Sequence, residues 1–340
     1  MKTLLITGGA GFIGTNTVDY FASAGWEVLV LDNLSRKGSA ENLSWLQSNK
    51  EYSFDFLQLD IRDKDAIDQV FLDYNISALI HLAGQVAVTS SVTDPRNDFS
   101  INLHGTFNLL EAVRCFSPET VFINASTNKV YGELDYLEII ESEERYDFNN
   151  KIIGINEDIS LDFHSPYGCS KGSADQYVLD YARIYGLNTT SFRQSCIYGP
   201  RQFGSEDQGW ISWFIYAALS NKKISIFGDG KQVRDVLYID DLIRAYDMAI
   251  KNSDQIKGQA FNIGGGIENS ISLLEFMNLL SNHMGKDIPF EFEEVRPGDQ
   301  KVYITDTQKL YNKIRWEPKI TSHEGIKLIL DWTKENLNYQ

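Results

Sequence analysis
Short apolar runs recur through the first half of the chain, and each is followed by a stretch whose apolar residues return every three or four positions. The runs predict buried strands at Thr3–Thr7, Glu27–Asp32, Ser53–Gln58, Ala78–Leu82, Thr120–Ala125 and Asn188–Arg193. The stretches between them predict helices over Phe12–Ala24, Lys64–Tyr74, Asp98–Cys115 and Tyr167–Tyr185. Continuous apolar strands alternating with helices specify an α/β fold, a doubly wound parallel sheet with the ligand at the carboxyl ends of the strands. The order loosens after Tyr198-Gly199-Pro200. Trp210–Leu219 and Leu273–His283 read as helices, Ile224–Phe227 and Phe290–Glu294 as short strands, and Ala260–Ile263 is apolar enough to rejoin the main sheet. Residues 133–164 are irregular and acidic, with Glu141, Glu143, Glu144 and Asp147 close together. So long a loop is either a cover for a site or a solvated decoration.

The first strand runs into Thr7-Gly8-Gly9-Ala10-Gly11-Phe12-Ile13-Gly14. Gly8 permits a tight turn, Gly11 lets the backbone approach a pyrophosphate, and Gly14 allows close helix–strand packing. The helix that follows (Val18, Phe21 and Ala22 on its apolar face) offers unpaired N–H groups to phosphates. Asp32, at the end of the second strand, suits the adenine ribose hydroxyls of NAD and disfavours a 2′-phosphate. The expected organisation is a Rossmann-type NAD-binding domain over residues 1–195, with 236–267 returning to it. A smaller, mixed α/β C-terminal region, from 196–235 and 268–340, would bind substrate.

The chain has 340 residues, 43% hydrophobic and 23% charged, an ordinary globular profile. Its formal charge of −16 argues against nucleic-acid or anionic-membrane partners. It leaves an anionic substrate open, because local cations can dominate a pocket. Three unpaired cysteines (Cys115, Cys169, Cys196) and a first strand beginning directly after Met1-Lys2 point to the cytoplasm. The five histidines are scattered, and no metal-ligand spacing is present.

Tyr167 and Lys171 stand four apart at the start of a predicted helix, on one face, with Pro166 before them. An ammonium beside a phenol favours the phenolate, which can then exchange a proton near neutral pH. Upstream, Ser126 and Thr127 end a strand, and either hydroxyl can reach the reacting oxygen; Thr127 is preferred.

This combination resembles the extended short-chain dehydrogenase/reductase family of nucleotide-sugar epimerases and dehydratases. The resemblance covers nearly the whole chain. It runs through the glycine loop, Asp32-Asn33-Leu34-Ser35, Asp60-Ile61, His81-Leu82-Ala83-Gly84, Asn102-Leu103-His104-Gly105-Thr106, Tyr167/Lys171 and Tyr198-Gly199-Pro200. It implies NAD kept through many turnovers by Gly8, Gly11, Phe12, Ile13, Gly14, Asp32, Asn33, Ser35 and Arg36. Asp60 and Ile61 would flank the adenine. Leu82, Ala83, Gly84 and Gln85 would line the dinucleotide, Asn102 would brace the central helix, and Tyr167 and Lys171 would sit at the nicotinamide ribose. Gln194-Ser195-Cys196 stands where many relatives carry an aromatic beside the nicotinamide, so Gln194 and Ser195 would contact NAD instead.

Where the family's 4,6-dehydratases carry Thr-Asp-Glu, this chain has Thr127-Asn128-Lys129. An asparagine cannot do an acid's work, so elimination of water is disfavoured. Residues 126–132, 161–167 and 207–210 are similar to the CDP-paratose 2-epimerase subgroup. That implies epimerisation at C2 through a 2-keto sugar, turning CDP-paratose into CDP-tyvelose, a step of lipopolysaccharide O-antigen biosynthesis. Tyr167 would be the base, Thr127 would orient the oxygen, and Lys171 would hold the ribose and tune the phenol. The implied substrate contacts are Val86, Thr127, Asn128, Cys196, Arg201, Gln202, Gln208 and Trp210, with Arg234, Arg296 and Asp299 at the diphosphate. Trp210 suits ligand contact and core packing beside Trp213 equally. Arg234 and Arg296 have Asp235 and Asp299 beside them for surface ion pairs, and Cys196 also suits a small buried hydrophobe. A C4 epimerase, a nucleotide-sugar 4-ketoreductase and a non-catalytic NAD-binding protein remain as alternatives. The helices Asp98–Cys115 and Tyr167–Tyr185 would pair in a homodimer or homotetramer.

Overall fold
The computed structural model describes residues 2–149, 152–206, 208–294 and 300–336. Seven strands form the main sheet: β1 Thr3–Thr7, β2 Glu27–Leu31, β3 Asp55–Leu57, β4 Ile76–His81, β5 Val121–Thr127, β6 Thr189–Gln194 and β7 Ala260–Ile263. Their order is β7-β6-β5-β4-β1-β2-β3, and every pairing is parallel. Alternate residues face opposite sides: Leu4 and Ile6 enter one hydrophobic cluster, Leu5 the other. The registers Thr7↔Leu31, Thr7↔His81, His81↔Asn124 and Thr127↔Gln194 align the carboxyl ends of five strands along one rim. The strand order reverses between β1 and β4, which opens a crevice at that rim.

Beyond β6 the chain builds a second sheet around Val233–Tyr238. Cys196–Tyr198 and Val302–Tyr303 pair with that strand in parallel, Ser270–Ser272 antiparallel. Ala260–Ile263 rejoins the main sheet beside β6, as its apolar run predicts.

Two segments depart from the sequence reading. The helix predicted over Asp98–Cys115 is three consecutive pieces: Pro95–Phe99, a π-helical Ser100–Gly105, and Thr106–Phe116. Asp94 caps the first piece through the Asn97 N–H (3.0 Å), with Pro95 at its first position, so the helix begins earlier than its apolar stripe. The acidic stretch 133–164 is neither a cover nor a solvated decoration. Among the described residues, none of it lines the cleft at the rim. It forms the hairpin Ile139–Glu141/Tyr146–Phe148 and is stitched to the second sheet by Tyr146 N–H to Lys231 O (2.9 Å) and Ile155 N–H to Ile304 O (2.7 Å). Tyr146, Phe148 and Ile155 are buried there with Val233 and Tyr303.

The long helix Ser165–Tyr185 packs on the sheet through a buried ion pair. Asp175, with no solvent exposure, receives Arg193 Nη2 of β6 at 2.8 Å and the Ser191 hydroxyl at 2.6 Å. Arg193 Nη1 donates to the Tyr131 hydroxyl (3.0 Å), which donates to Asn262 Oδ1 of β7 (2.7 Å). Removing one partner strands a charge in the interior, whereas removing both does not. Arg193→Met should cost about 3–5 kcal/mol in urea unfolding. Asp175→Leu combined with Arg193→Met should recover most of it; a double variant less stable than the single one refutes the account.

Candidate active site
The crevice is a cleft of about 920 Å³. Its floor is the glycine loop. Gly8 has φ +69, and a Cβ there would come within 2.6 Å of the Ala83 nitrogen, so only glycine lets the loops after β1 and β4 approach this closely. The helix Phe12–Ser23 starts with neither a side-chain cap nor an acid in its first turn. Its first N–H groups therefore face the cleft with the positive end of the helix dipole behind them.

Gly11, Phe12, Ile13 and Gly14 line this end together with Asp32, Asn33, Ser35, Arg36, Asp60 and Ile61. The Asp32 carboxylate accepts the backbone N–H groups of Ala10 (3.0 Å) and Leu34 (2.8 Å), one on each oxygen. Burial pushes its pKa up, and the two backbone donors oppose that. Lone pairs remain on both oxygens for ligand hydroxyls. Asn33 ties Asp32's loop to the next strand by donating to Asp60 (2.8 Å). Arg62 hydrogen-bonds Asp60 and holds its carboxyl well below the ordinary range.

Leu82, Ala83, Gly84 and Val86 line the middle of the cleft. Gln85 and Asn102 do not; they brace the loop from behind. Asn102 Oδ1 accepts the Gln85 N–H (2.9 Å), and its amide donates to Gln85 O (3.0 Å) and Asp98 Oδ1 (3.1 Å). The π-helical turn gives Asn102 this reach toward the loop. Asp98 also accepts Gln85 Nε2 (2.9 Å) and the Ser170 hydroxyl, linking the loop to the Ser165–Tyr185 helix. Sequence reasoning missed Asp98 and Ser170, which carry no local motif.

At the far end Thr127, Tyr167 and Lys171 come together with Asn128, Gln194, Ser195 and Cys196. Tyr167 and Thr127 share a side-chain hydrogen bond. Ser126 also lines the cleft, and its buried hydroxyl has no protein partner. Gln194 and Ser195 point their polar ends into the protein, at the Tyr246 hydroxyl (2.6 Å) and Asp235 Oδ1 (2.6 Å). Arg201, Gln202, Gln208 and Trp210 form the opposite wall. Arg201 stacks 3.3 Å over Trp45 and donates to Asn16 (2.9 Å). Trp210 both lines the cleft and packs edge-on against Phe276 (5.0 Å) and Phe214 (5.9 Å). Arg234 is not on the cleft lining: it is buried on the Val233–Tyr238 strand, with Nη1 on Val233 O at 2.7 Å. Its charge is felt at Cys196. Arg296 and Asp299 lie outside the described residues. Thr89, Lys129 and Phe203 also line the cleft and were not anticipated.

The sequence model of the family described as GDP-mannose 4,6 dehydratase matches residues 5–329. The chain belongs to that family. Its relatives include epimerases as well as dehydratases. The chain is 49% identical to the CDP-paratose 2-epimerase of Salmonella typhi, over 97% of this chain and 98% of that one. It is 33% identical to the crystal structure of Thermotoga maritima UDP-glucose 4-epimerase with UDP-glucose, with TM-score 0.85 over 98% of this chain and 99% of that one. It is 28% identical to the Bacillus cereus UDP-glucuronic acid 4-epimerase in complex with UDP-glucuronic acid and NAD, with TM-score 0.83 over 98% and 99%.

In this member of the GDP-mannose 4,6 dehydratase family burial governs both the Tyr167 phenol and the Lys171 ammonium. Burial and the charge of Asp98 push the Tyr167 phenol up; the hydrogen bond with Thr127 and the charge of Arg36 pull it down. The Lys171 ammonium donates to the Ala125 carbonyl, 2.5 Å away. Burial lowers its pKa from 10.5 to about 8, against the charges of Asp175 and Asp98. Between those two values the folded protein has released this proton while the unfolded chain keeps it, so stability rises with pH. Relative to Lys171→Met, the wild type should gain about 1.4 kcal/mol per pH unit across that window. Urea unfolding from pH 7 to 10 measures it, and a flat difference refutes it.

Proposed function
We propose that the protein is an NAD-dependent epimerase that inverts C2 of CDP-paratose to give CDP-tyvelose. The carrying observation is the make-up of the cleft: Thr127 and Tyr167 meet at one end, and the lining acids, Asp32 and Asp60, stand at the other. Among the described lining residues, no carboxylate neighbours the Tyr167 hydroxyl to drive loss of water. Asn128 and Lys129 fill the positions beside Thr127. Oxidation and return without elimination is the chemistry that remains. The full-length similarity to the Salmonella typhi enzyme supports C2 and the CDP-sugar.

NAD fits the residues present. The uncapped start of Phe12–Ser23 suits its pyrophosphate, the free lone pairs of Asp32 suit its adenine ribose, and the unpartnered Ser126 hydroxyl offers a polar contact at the nicotinamide end. When bound, NAD supplies the site that accepts a hydride and gives it back. Tyr167 takes the proton of the C2 hydroxyl as its phenolate and returns it after the 2-keto sugar has presented its other face. Thr127 holds that oxygen in line with the phenol. Lys171, anchored on Ala125 O, would hold the cofactor's ribose. Such transfers tolerate little misplacement, on the order of a hundredfold in rate per ~1 Å. Arg201 and Gln202 face the substrate from the opposite wall, and the buried charge of Arg234 is felt at Cys196.

Incubating the protein with CDP-paratose and following the sugar by NMR tests the reading. The expected product is the C2 epimer with no net consumption of NADH. Inversion at C4, or stoichiometric use of NAD(P)H, overturns it. Tyr167→Phe should lower kcat by about 10²–10⁴-fold while NAD remains bound.

Assembly follows from the other side of the Ser165–Tyr185 helix. Tyr177, Ile184 and Tyr185 are exposed there, next to Phe107 of the neighbouring helix, and Phe107 meets Tyr177 edge-on at 5.8 Å. A patch of this kind on paired helices supports a homodimer or homotetramer. Tyr177→Glu with Ile184→Glu should reduce the mass seen by light scattering to that of one chain. The free cysteines support the cytoplasm, and the reading supports a place in O-antigen synthesis. No helix among the described residues is long and apolar enough to cross a membrane.

A further inference from the structure
The brace behind the cleft contains a charge that its hydrogen bonds alone do not explain. Asp98 is 1% exposed. One of its oxygens accepts Gln85 Nε2 (2.9 Å) and Asn102 Nδ2 (3.1 Å), and the other accepts the Ser170 hydroxyl. All three donors are neutral, and among the described residues no cation forms an ion pair with Asp98. A side-chain amide oxygen accepts from two such donors as well as a carboxylate oxygen does. A carboxylate kept in the interior is costly unless an opposite charge balances it.

The Lys171 ammonium supplies that balance. Ser170, which donates to Asp98, is the residue before Lys171. Gly84 sits against both the brace and the ammonium: a Cβ there would come within 3.1 Å of Asn102 Oδ1 and 3.9 Å of Lys171 Nζ. Burial pushes the Asp98 carboxyl up, while the hydrogen bonds of Ser170 and Gln85 and the charge of Lys171 hold it down. Burial pushes the ammonium down, while the charges of Asp175 and Asp98 hold it up. The remaining groups around Lys171 are paired or uncharged. Asp175, one turn on, is closed by Arg193 at 2.8 Å. His81 on β4 is buried and neutral, and Ala125 of β5 offers only its carbonyl. The Tyr167 phenol, one turn back, feels Asp98 and Arg36 in opposite senses.

We infer that Asp98 is the fixed counter-charge of the Lys171 ammonium, and that it sets the pH range in which the Tyr167–Lys171 pair works. The inference rests on the epimerase reading above for its kinetics, and on the fold alone for its electrostatics. Asp98 acts through the two side chains and is a positioning residue. Without its charge the buried ammonium releases its proton at lower pH, and the phenol also ionises at lower pH. Both limbs of the pH profile therefore move the same way.

Four variants separate the charge from the brace. Asp98→Asn and Asp98→Ser remove the charge, Asp98→Glu keeps it, and Ser170→Ala deletes a hydrogen bond while leaving the carboxylate. The first measurement needs no ligand. Each variant is unfolded in urea with and without Lys171→Met, from about pH 5 to 10. In the wild-type background the stability difference starts to climb near pH 8. In the two neutral variants the climb should start about one pH unit lower, and Ser170→Ala and Asp98→Glu should leave its start in place. The second measurement is the pH profile of kcat/KM for epimerisation of CDP-paratose. Its optimum should move about one unit lower in the neutral variants and stay in the other two. An unmoved start of the climb in both neutral variants overturns the counter-charge. So does a profile that loses height without moving, which marks Asp98 as a brace only. Wild-type protein that epimerises nothing overturns the proposed function, and the urea series then decides the counter-charge by itself.

Discussion

Tyr167, Lys171 and Asp175 stand at four-residue intervals on one face of one helix, and Asp175 has no solvent exposure. Its carboxylate is satisfied by Arg193 and Ser191 on β6, so the helix can settle at only one depth and one rotation against the sheet. Two turns away that constraint becomes the position of the Tyr167 hydroxyl. The same network continues through Tyr131 and Asn262 into β7 and the Ile155 carbonyl, so one buried charge ties two strands and the segment at Ile155 to the helix. An ion pair so deep adds little net stability, because desolvation offsets the attraction. Its value lies in excluding every other register.

The protein is strongly acidic, yet its cleft is not. Arg36, Lys37, Lys129, Lys171 and Arg201 line it, against Asp32 and Asp60. Asp60 is already paired with Arg62, and Asp32 is held by two backbone donors. The net charge of −16 therefore describes the outer surface, while the cleft offers cations to a ligand carrying phosphates. His81, central to one of the family-like motifs, takes no part in this balance. Burial lowers its pKa to about 3, and it sits neutral between the Thr7 and Thr106 hydroxyls at 2.7 and 2.9 Å.

What was legible in the sequence is what is encoded locally. The glycine loop, Asp32 at a strand end and the Tyr167–Lys171 spacing are each read within a few residues, and all of them line the cleft. The parallel sheet followed from alternating runs, and even Ala260–Ile263 was readable from its four apolar-rich positions. Illegible were features that exist only once distant segments meet. Gln85, the Asp98–Asn102 turn and Ser170 form one brace from three places in the chain, of which Asn102 alone was expected to brace anything. Arg234 reads as a diphosphate contact, with a surface ion pair as the alternative, but it is buried on its strand and off the cleft lining. The stretch 133–164 was misread because its acids dominate its composition, although Tyr146, Phe148 and Ile155 already carried the signal of a buried anchor. The Tyr167–Lys171 spacing set a shared face, but the anchoring of the Lys171 ammonium on the Ala125 carbonyl joins a helix to a strand distant in sequence and could not be read locally.

The place of β7 has a consequence for how this chain comes into being. The strand pairs with β6, yet it is made only after the chain has left for the second sheet and come back. As the polypeptide leaves the ribosome, β6 waits with one row of backbone donors and acceptors unpaired until residues 260–263 emerge. Closing so long a loop is slow, and an open strand edge is a template for any other strand that arrives first. The hazard in the biogenesis of this protein is thus concentrated on one side of one strand, and a sister chain at the same stage presents the matching edge.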